Sequence, residues 1–153
     1  MLIATHSIVG AVIGTEVNYP PLAFILGFIS HFILDVIPHN DGPDDVVGRT
    51  GPNSINQYLV VAVDGLVAIC TIIYFGQSSE SASFFWGALG GITPDLIDNV
   101  PILKEYVRKL KVFDKFHQFH YWIQSRKAPL ILGIPLQYAI FFLGVLFLLK
   151  VLK

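Results

Sequence analysis

The chain has 153 residues, of which 54% are hydrophobic and only 14% charged, with a formal net charge of −1. A soluble domain usually carries about a quarter charged residues, and the mean hydropathy of +0.64 points to a membrane protein. The charge balance and the absence of a basic arm exclude a nucleic-acid partner. The single cysteine, Cys70, excludes a disulfide framework or a CxxC site and reads as a small apolar residue.

Five apolar stretches follow in chain order, each predicted helical because it exceeds barrel-strand length and lacks period-2 alternation. The first two, 2–17 and 21–38, are separated by "NYPP", which predicts a tight turn on Pro20 and Pro21. The third runs over about 58–75 and the fourth over about 82–97. The fifth, Pro129 to Leu149, is the one near the usual spanning length of about 20 residues. The absence of a basic n-region, with His6 and Glu16 in the first stretch, argues against a cleaved signal peptide. Before the fifth stretch, "KEYVRKLKVFDKFHQFHYWIQSRK" interleaves aromatic and aliphatic residues with Lys and Arg, the pattern of an amphipathic interfacial helix. The expected fold is therefore all-α: one integral membrane domain over 1–153, a polytopic bundle of about five apolar helices plus the interfacial helix.

Lys104, Arg108, Lys109, Lys111, Lys115, Arg126 and Lys127 crowd that connection, which the positive-inside rule assigns to the cytoplasm. With five spans, the N-terminus and the 39–57 loop share its side. Lys150 and Lys153 then fall outside, a contrary signal that does not reverse the assignment. The expected location is the inner (cytoplasmic) membrane, among membrane lipids.

In that topology His6, His31, Asp35, His39, Asp64, Asp95, Asp98, His117 and His120 collect at the cytoplasmic end. His31, Asp35 and His39 follow at intervals of four and share one helical face; His117 and His120 are three apart. Imidazole and carboxylate together suit a divalent metal, Zn²⁺ first and Mn²⁺ or Fe²⁺ less selectively. Alternatives stand beside this reading. His6 alone could be an interfacial or capping group, His117 and His120 could be headgroup anchors, and His31 with Asp35 could be a buried ion pair. Asp64 could serve only as a hydrogen-bonding group between helices. Asp41, Asp44 and Asp45 read as turn residues, and Glu105 and Asp114 as solvated charge.

A shift of 63 aligns Gly27 with Gly90, Asp35 with Asp98 and Pro38 with Pro101, a pseudo-repeat of two hairpins around 21–41 and 84–104 that would present carboxylates from both sides of one site. Gly10/Gly14 and Gly87/Gly91 have GxxxG spacing, which suits close helix packing, either within the chain or in a homo-oligomer.

"THSIVGAVIG", "SHFILDVIPH" and "GGITPDLIDN" resemble the small bacterial membrane-bound metal-dependent hydrolases, in an early His, a Gly-rich helix ending in a Pro-Asp motif, and a later His motif. The matching positions are His6, then Pro94, Asp95 and Asp98, then His117 and His120. The His31/Asp35 pair also looks like ligand pairs of zinc-dependent phospholipase C proteins. The resemblance implies a metal-dependent hydrolase acting on a phosphoester or ester, lipid included, at the cytoplasmic leaflet. His6, His31, Asp35, Asp95 and Asp98 would hold one or two ions, His117 and His120 would be further ligands, and His39 would be the catalytic base. Two other classes fit the same residues: a scaffold with a structural metal, and a small metal or proton transporter.

Overall fold

The computed structural model describes residues 1–40, 55–99 and 109–152. The turn aspartates, Gly48, and Lys104, Glu105 and Arg108 lie outside them. Six helices occur among the described residues: α1 (Ile3–Val17), α2 (Pro20–Val36), α3 (Ile55–Gly76), α4 (Ala82–Asn99), α5 (Lys111–Ile123) and α6 (Leu130–Val151). Among these residues there are no strands, and an isolated bridge joins His39 to Lys127.

The helices match the five apolar stretches and the amphipathic segment, but two of them, α3 and α6, are long and apolar enough to cross a membrane. The α1 and α2 helices have 15 and 17 residues. At about 1.5 Å per residue they fall short of the roughly 30 Å hydrocarbon core. The α4 helix ends in Asp95 and Asp98, which lower its hydropathy. The expected turn on Pro20 and Pro21 is corrected as well. The reversal falls on Asn18, which ends α1 in the left-handed region at φ 44°, and the prolines open α2. Proline suits a first turn because its missing N–H would have no partner there.

Glycine decides how the helices cross. A Cβ on Gly10 would collide with the Gly87 carbonyl, one on Gly14 with Ser83, and one on Gly91 with the His6 carbonyl. Both GxxxG pairs thus face each other across the α1–α4 contact inside one chain. Gly27 and Gly90, the pseudo-repeat pair, do the same for α2 and α4, against Gly87 and Phe24. With backbones this close, the start of α1 meets the ends of α2 and α4. The apolar cluster of Ile8, Ala11, Phe75, Phe84, Ala88 and Leu148 lies toward the other end of the bundle.

The first turn of α1 takes its cap from another helix. Asp64 of α3 accepts hydrogen bonds from the Ile3 and Ala4 amides at 2.6 and 3.2 Å, satisfying two donors that a helix start leaves open. No side chain of the N-cap residue Leu2 does this. Asp64→Ala is therefore expected to cost about 1–2 kcal/mol, as lost caps do, while metal content stays unchanged. Thermal unfolding and elemental analysis of one preparation check both parts.

Candidate metal centre

Four side chains converge on Asp35. His31 and Asp35 come from the last turns of α2, one helical turn apart, and His31 Nε2 lies 3.1 Å from Asp35 Oδ2. The α5 helix brings His120, whose Nε2 is 3.2 Å from the same oxygen and 3.0 Å from His31 Nε2. The α4 helix brings Asp95, with Oδ1 at 3.9 Å from His31 Nε2 and 3.8 Å from His120 Nε2. From α1 comes His6, with Nε2 at 3.2 Å from Asp35 Oδ1. All five are buried.

The outer nitrogens of the imidazoles fix their tautomers. The Gly91 carbonyl accepts from His31 Nδ1 at 2.7 Å. Asp98 Oδ2 accepts from His120 Nδ1 at 3.1 Å. A carbonyl or carboxylate oxygen can only accept, so the proton of each neutral ring is on Nδ1 and the lone pair is on Nε2. The two Nε2 atoms face each other at 3.0 Å beside a carboxylate oxygen, with the Gln124 amide nitrogen 2.8 Å from that of His120, and a positive species between them would satisfy both lone pairs. A proton can serve: burial opposes the charge of His120, but hydrogen bonds to Asp35 and Asp98 outweigh it and raise its pKa to about 9.

A divalent cation fits the same donors. Ligands at about 2.0–2.2 Å from a tetrahedral ion stand about 3.3–3.6 Å apart. The His31, Asp35 and His120 atoms are separated by 3.0–3.2 Å, close to one face of such a tetrahedron, with Asp95 beyond. Two overlapping triads have ligand atoms mutually within 4.8 Å, His31–Asp35–His120 and His6–His31–Asp95. His6 is fully buried, and neither ring nitrogen is in line for a hydrogen bond, Nε2 facing Asp35 Oδ1 at 3.2 Å. An unpartnered buried polar group is costly, and a ligated ion would remove that cost for one of the two nitrogens.

The remaining sequence candidates fall outside this inner set. Asp98 faces the outer nitrogen of His120, so the two carboxylates of the pseudo-repeat, Asp35 and Asp98, bracket one imidazole. His117 Nδ1 bonds the far oxygen of Asp98 at 2.6 Å and its side chain is 30% exposed. His39 is buried, with Nδ1 donating to the Ile37 carbonyl at 2.8 Å and Nε2 at 3.8 Å from Asp35 Oδ1.

Two residues escaped the sequence reading. Gln124, one turn after His120, donates to Asp35 Oδ2 at 2.7 Å and has its Nε2 at 2.8 Å from His120 Nε2. Gln137 of α6 is fully buried; it accepts from the Leu2 amide at 2.7 Å and donates to the Asn40 carbonyl at 2.7 Å. It thereby ties α6 to the start of α1 and to the segment after α2. As the lone polar side chain between Gly133 and Gly144 apart from Tyr138, it left a signal that a search for ionisable groups passes over.

Comparison of the chain with protein-family models, with curated proteins and with solved structures gives no match.

Proposed function

We propose that the chain is a membrane-embedded, metal-dependent hydrolase acting on a phosphoester or ester near the lipid headgroups. The observation that carries this reading is the pair of buried imidazoles whose Nε2 atoms lie 3.0 Å apart beside Asp35. His31, Asp35 and His120 would hold the ion, with Asp95 and His6 in reach. A bound divalent ion supplies Lewis-acid polarisation and a water of lowered pKa. The protein's own groups do the rest. Gly91 and Asp98 orient the two imidazoles through their outer nitrogens, as ligand histidines require. His39, held by Ile37 at Nδ1, would serve as the proton acceptor through Nε2, which the Met1 amino group now meets at 2.8 Å.

A membrane setting is supported by the exposed faces. The spanning stretch of α3 is only 17% buried and that of α6 28%, unlike the core helix of a soluble protein. On α5, Val112, Phe119, Tyr121 and Trp122 are exposed beside Lys111 and Lys115, the composition of a helix lying in the interface. Because the basic residues surround the helix that carries His120, the positive-inside rule favours the cytoplasmic leaflet for the site. The five-span arrangement is part of this proposal, with α1, α2 and α4 as short helices in a locally thinned bilayer. Transport is less well supported, because an apolar cluster fills the bundle beyond His6.

The test is release of headgroup or acyl products from mixed-lipid vesicles holding the purified protein. Turnover that disappears with chelator and returns with Zn²⁺, Mn²⁺ or Fe²⁺ is expected. A metal-loaded protein that releases neither product from any phospholipid class offered would overturn the hydrolase reading.

A further inference from the structure

We infer that the cleft between α3 and α6 is an acyl-chain site, so that the molecule offered to the centre is a membrane lipid; the inference rests on the membrane-embedded hydrolase reading above. The cleft holds about 310 Å³, at the lower end of the roughly 300–1,000 Å³ of ligand sites. Its floor is the start of α1, through Leu2, Ala4 and Thr5. One wall is α3, where Leu59, Val63 and Val67 recur on one helical face. The other is α6, through Tyr138 and Phe141.

The lining suits hydrocarbon. Of its three polar side chains, two are already engaged. Thr5 Oγ1 donates to the Gln137 carbonyl at 3.4 Å, and Asp64 accepts from the Ile3 and Ala4 amides. A polar solute therefore finds little to bond with. Leu59 and Val63 are 56% and 60% exposed, so the cleft opens to its surroundings and is not a sealed cavity. Its walls belong to the two helices long and apolar enough to cross a membrane, and in a bilayer that opening faces lipid tails. Apolar atoms around an unfilled cleft forfeit dispersion contacts, which a lipid tail restores. The start of α1 divides the cleft from the centre. Leu2 lines the cleft, while the adjoining Met1 nitrogen meets Asp35 Oδ1 at 2.8 Å. Thr5 lines it too, while the adjoining His6 lies 3.2 Å from the same oxygen. A tail seated between α3 and α6 is thus anchored one helical turn from the centre, which favours an acyl-bearing lipid over a water-soluble ester as substrate class.

The experiment reconstitutes the full-length protein in vesicles of phosphatidylethanolamine and phosphatidylglycerol, doped with a phosphatidylethanolamine that carries a diazirine in its acyl chain. Irradiation and tandem mass spectrometry then map the adducts. Labelling of Val63 and Phe141 is expected to exceed severalfold that of Ile69 and Leu143, which are exposed on the same two helices but do not line the cleft. Val63→Trp, which fills the cleft from an exposed position, should abolish labelling of Phe141; Ile69→Trp, on another face of α3, should leave it unchanged. Equal labelling of cleft and control positions in the parent protein would overturn the inference, as would enrichment that survives Val63→Trp. Exclusion of the label from the cleft would overturn it as well, the mark of a second copy or another helix covering this face. Should Val63→Trp fail to fold, Leu59→Trp on the same wall takes its place. Labelling needs no turnover, so a protein that captures the tail but releases no product would overturn the hydrolase reading and leave the acyl-chain site standing.

Discussion

Asp35→Asn is expected to empty the centre. Asp35 is fully buried, and each of its oxygens faces imidazole nitrogens. The amide keeps the shape but loses the negative charge that would balance a divalent ion, and its NH₂ can turn toward the imidazole nitrogens in place of that ion. Loss of an outer partner of a metal ligand commonly costs about 10–100-fold in affinity; removal of this charge should exceed that range. Breaking a buried charged network also destabilises, by about 3–5 kcal/mol when one partner is lost. His31→Ala should lose metal as well. If His31 and Asp35 formed merely an ion pair, Asp35→Asn would leave a histidine able to go neutral, with lower stability and unchanged metal content. Metal retention by both variants, measured on folded monodisperse protein, would leave the ion-pair reading standing.

Gly10→Val is expected to be the most damaging substitution away from the ligands. Its Cβ would fall on the Gly87 carbonyl, and a backbone atom in the middle of a helix has little room to yield. Overpacking of ordinary cores costs about 1–3 kcal/mol; here α1 and α4 must separate, so the loss should reach or pass the top of that range. Separation also withdraws His6 and Asp95 from Asp35, which couples the packing defect to metal loss. Gly65→Ala in α3 is the matched control, because a Cβ there meets nothing within 4 Å and alanine gains about 0.5–1 kcal/mol over glycine in a helix. Thermal unfolding followed through Trp86 and Trp122 should separate the two widely. Equal stabilities would refute the close α1–α4 crossing.

Much of the architecture was legible because apolar runs in this chain are long and punctuated. The stretches at 2–17 and 129–149 reappear as α1 and α6 within one or two residues at either end, and the aromatic–basic alternation reappears as α5. The GxxxG spacings announced a close approach, and the crossing of α1 with α4 follows from them. Counting spans was harder, since hydropathy reads α1, α2 and α4 as apolar without weighing their length or the acids that end α4. "NYPP" misled because proline opens helices as readily as it shapes turns, and only the Asn18 backbone distinguishes the two.

The site was legible at the level of residue types and less so at the level of roles. The i, i+4 pair His31/Asp35 was readable on one helix. That Asp98 sits behind His120 while Asp95 faces the centre depends on how α4 and α5 are rotated against α2, which no local pattern encodes. Gln124 and Gln137 were missed for a related reason: glutamine is neither ionisable nor a usual metal ligand, and its contribution depends entirely on what lies opposite. Asp64, by contrast, has the interhelical hydrogen-bonding role that its position allowed.

The central claim, that His31, Asp35 and His120 form a metal centre, is tested most directly by elemental analysis of protein purified in mild detergent without chelator. The account predicts Zn, Mn or Fe at one or more ions per chain, lost in Asp35→Asn. Folded protein that carries none of these metals, and takes up none when titrated with each ion, would contradict it.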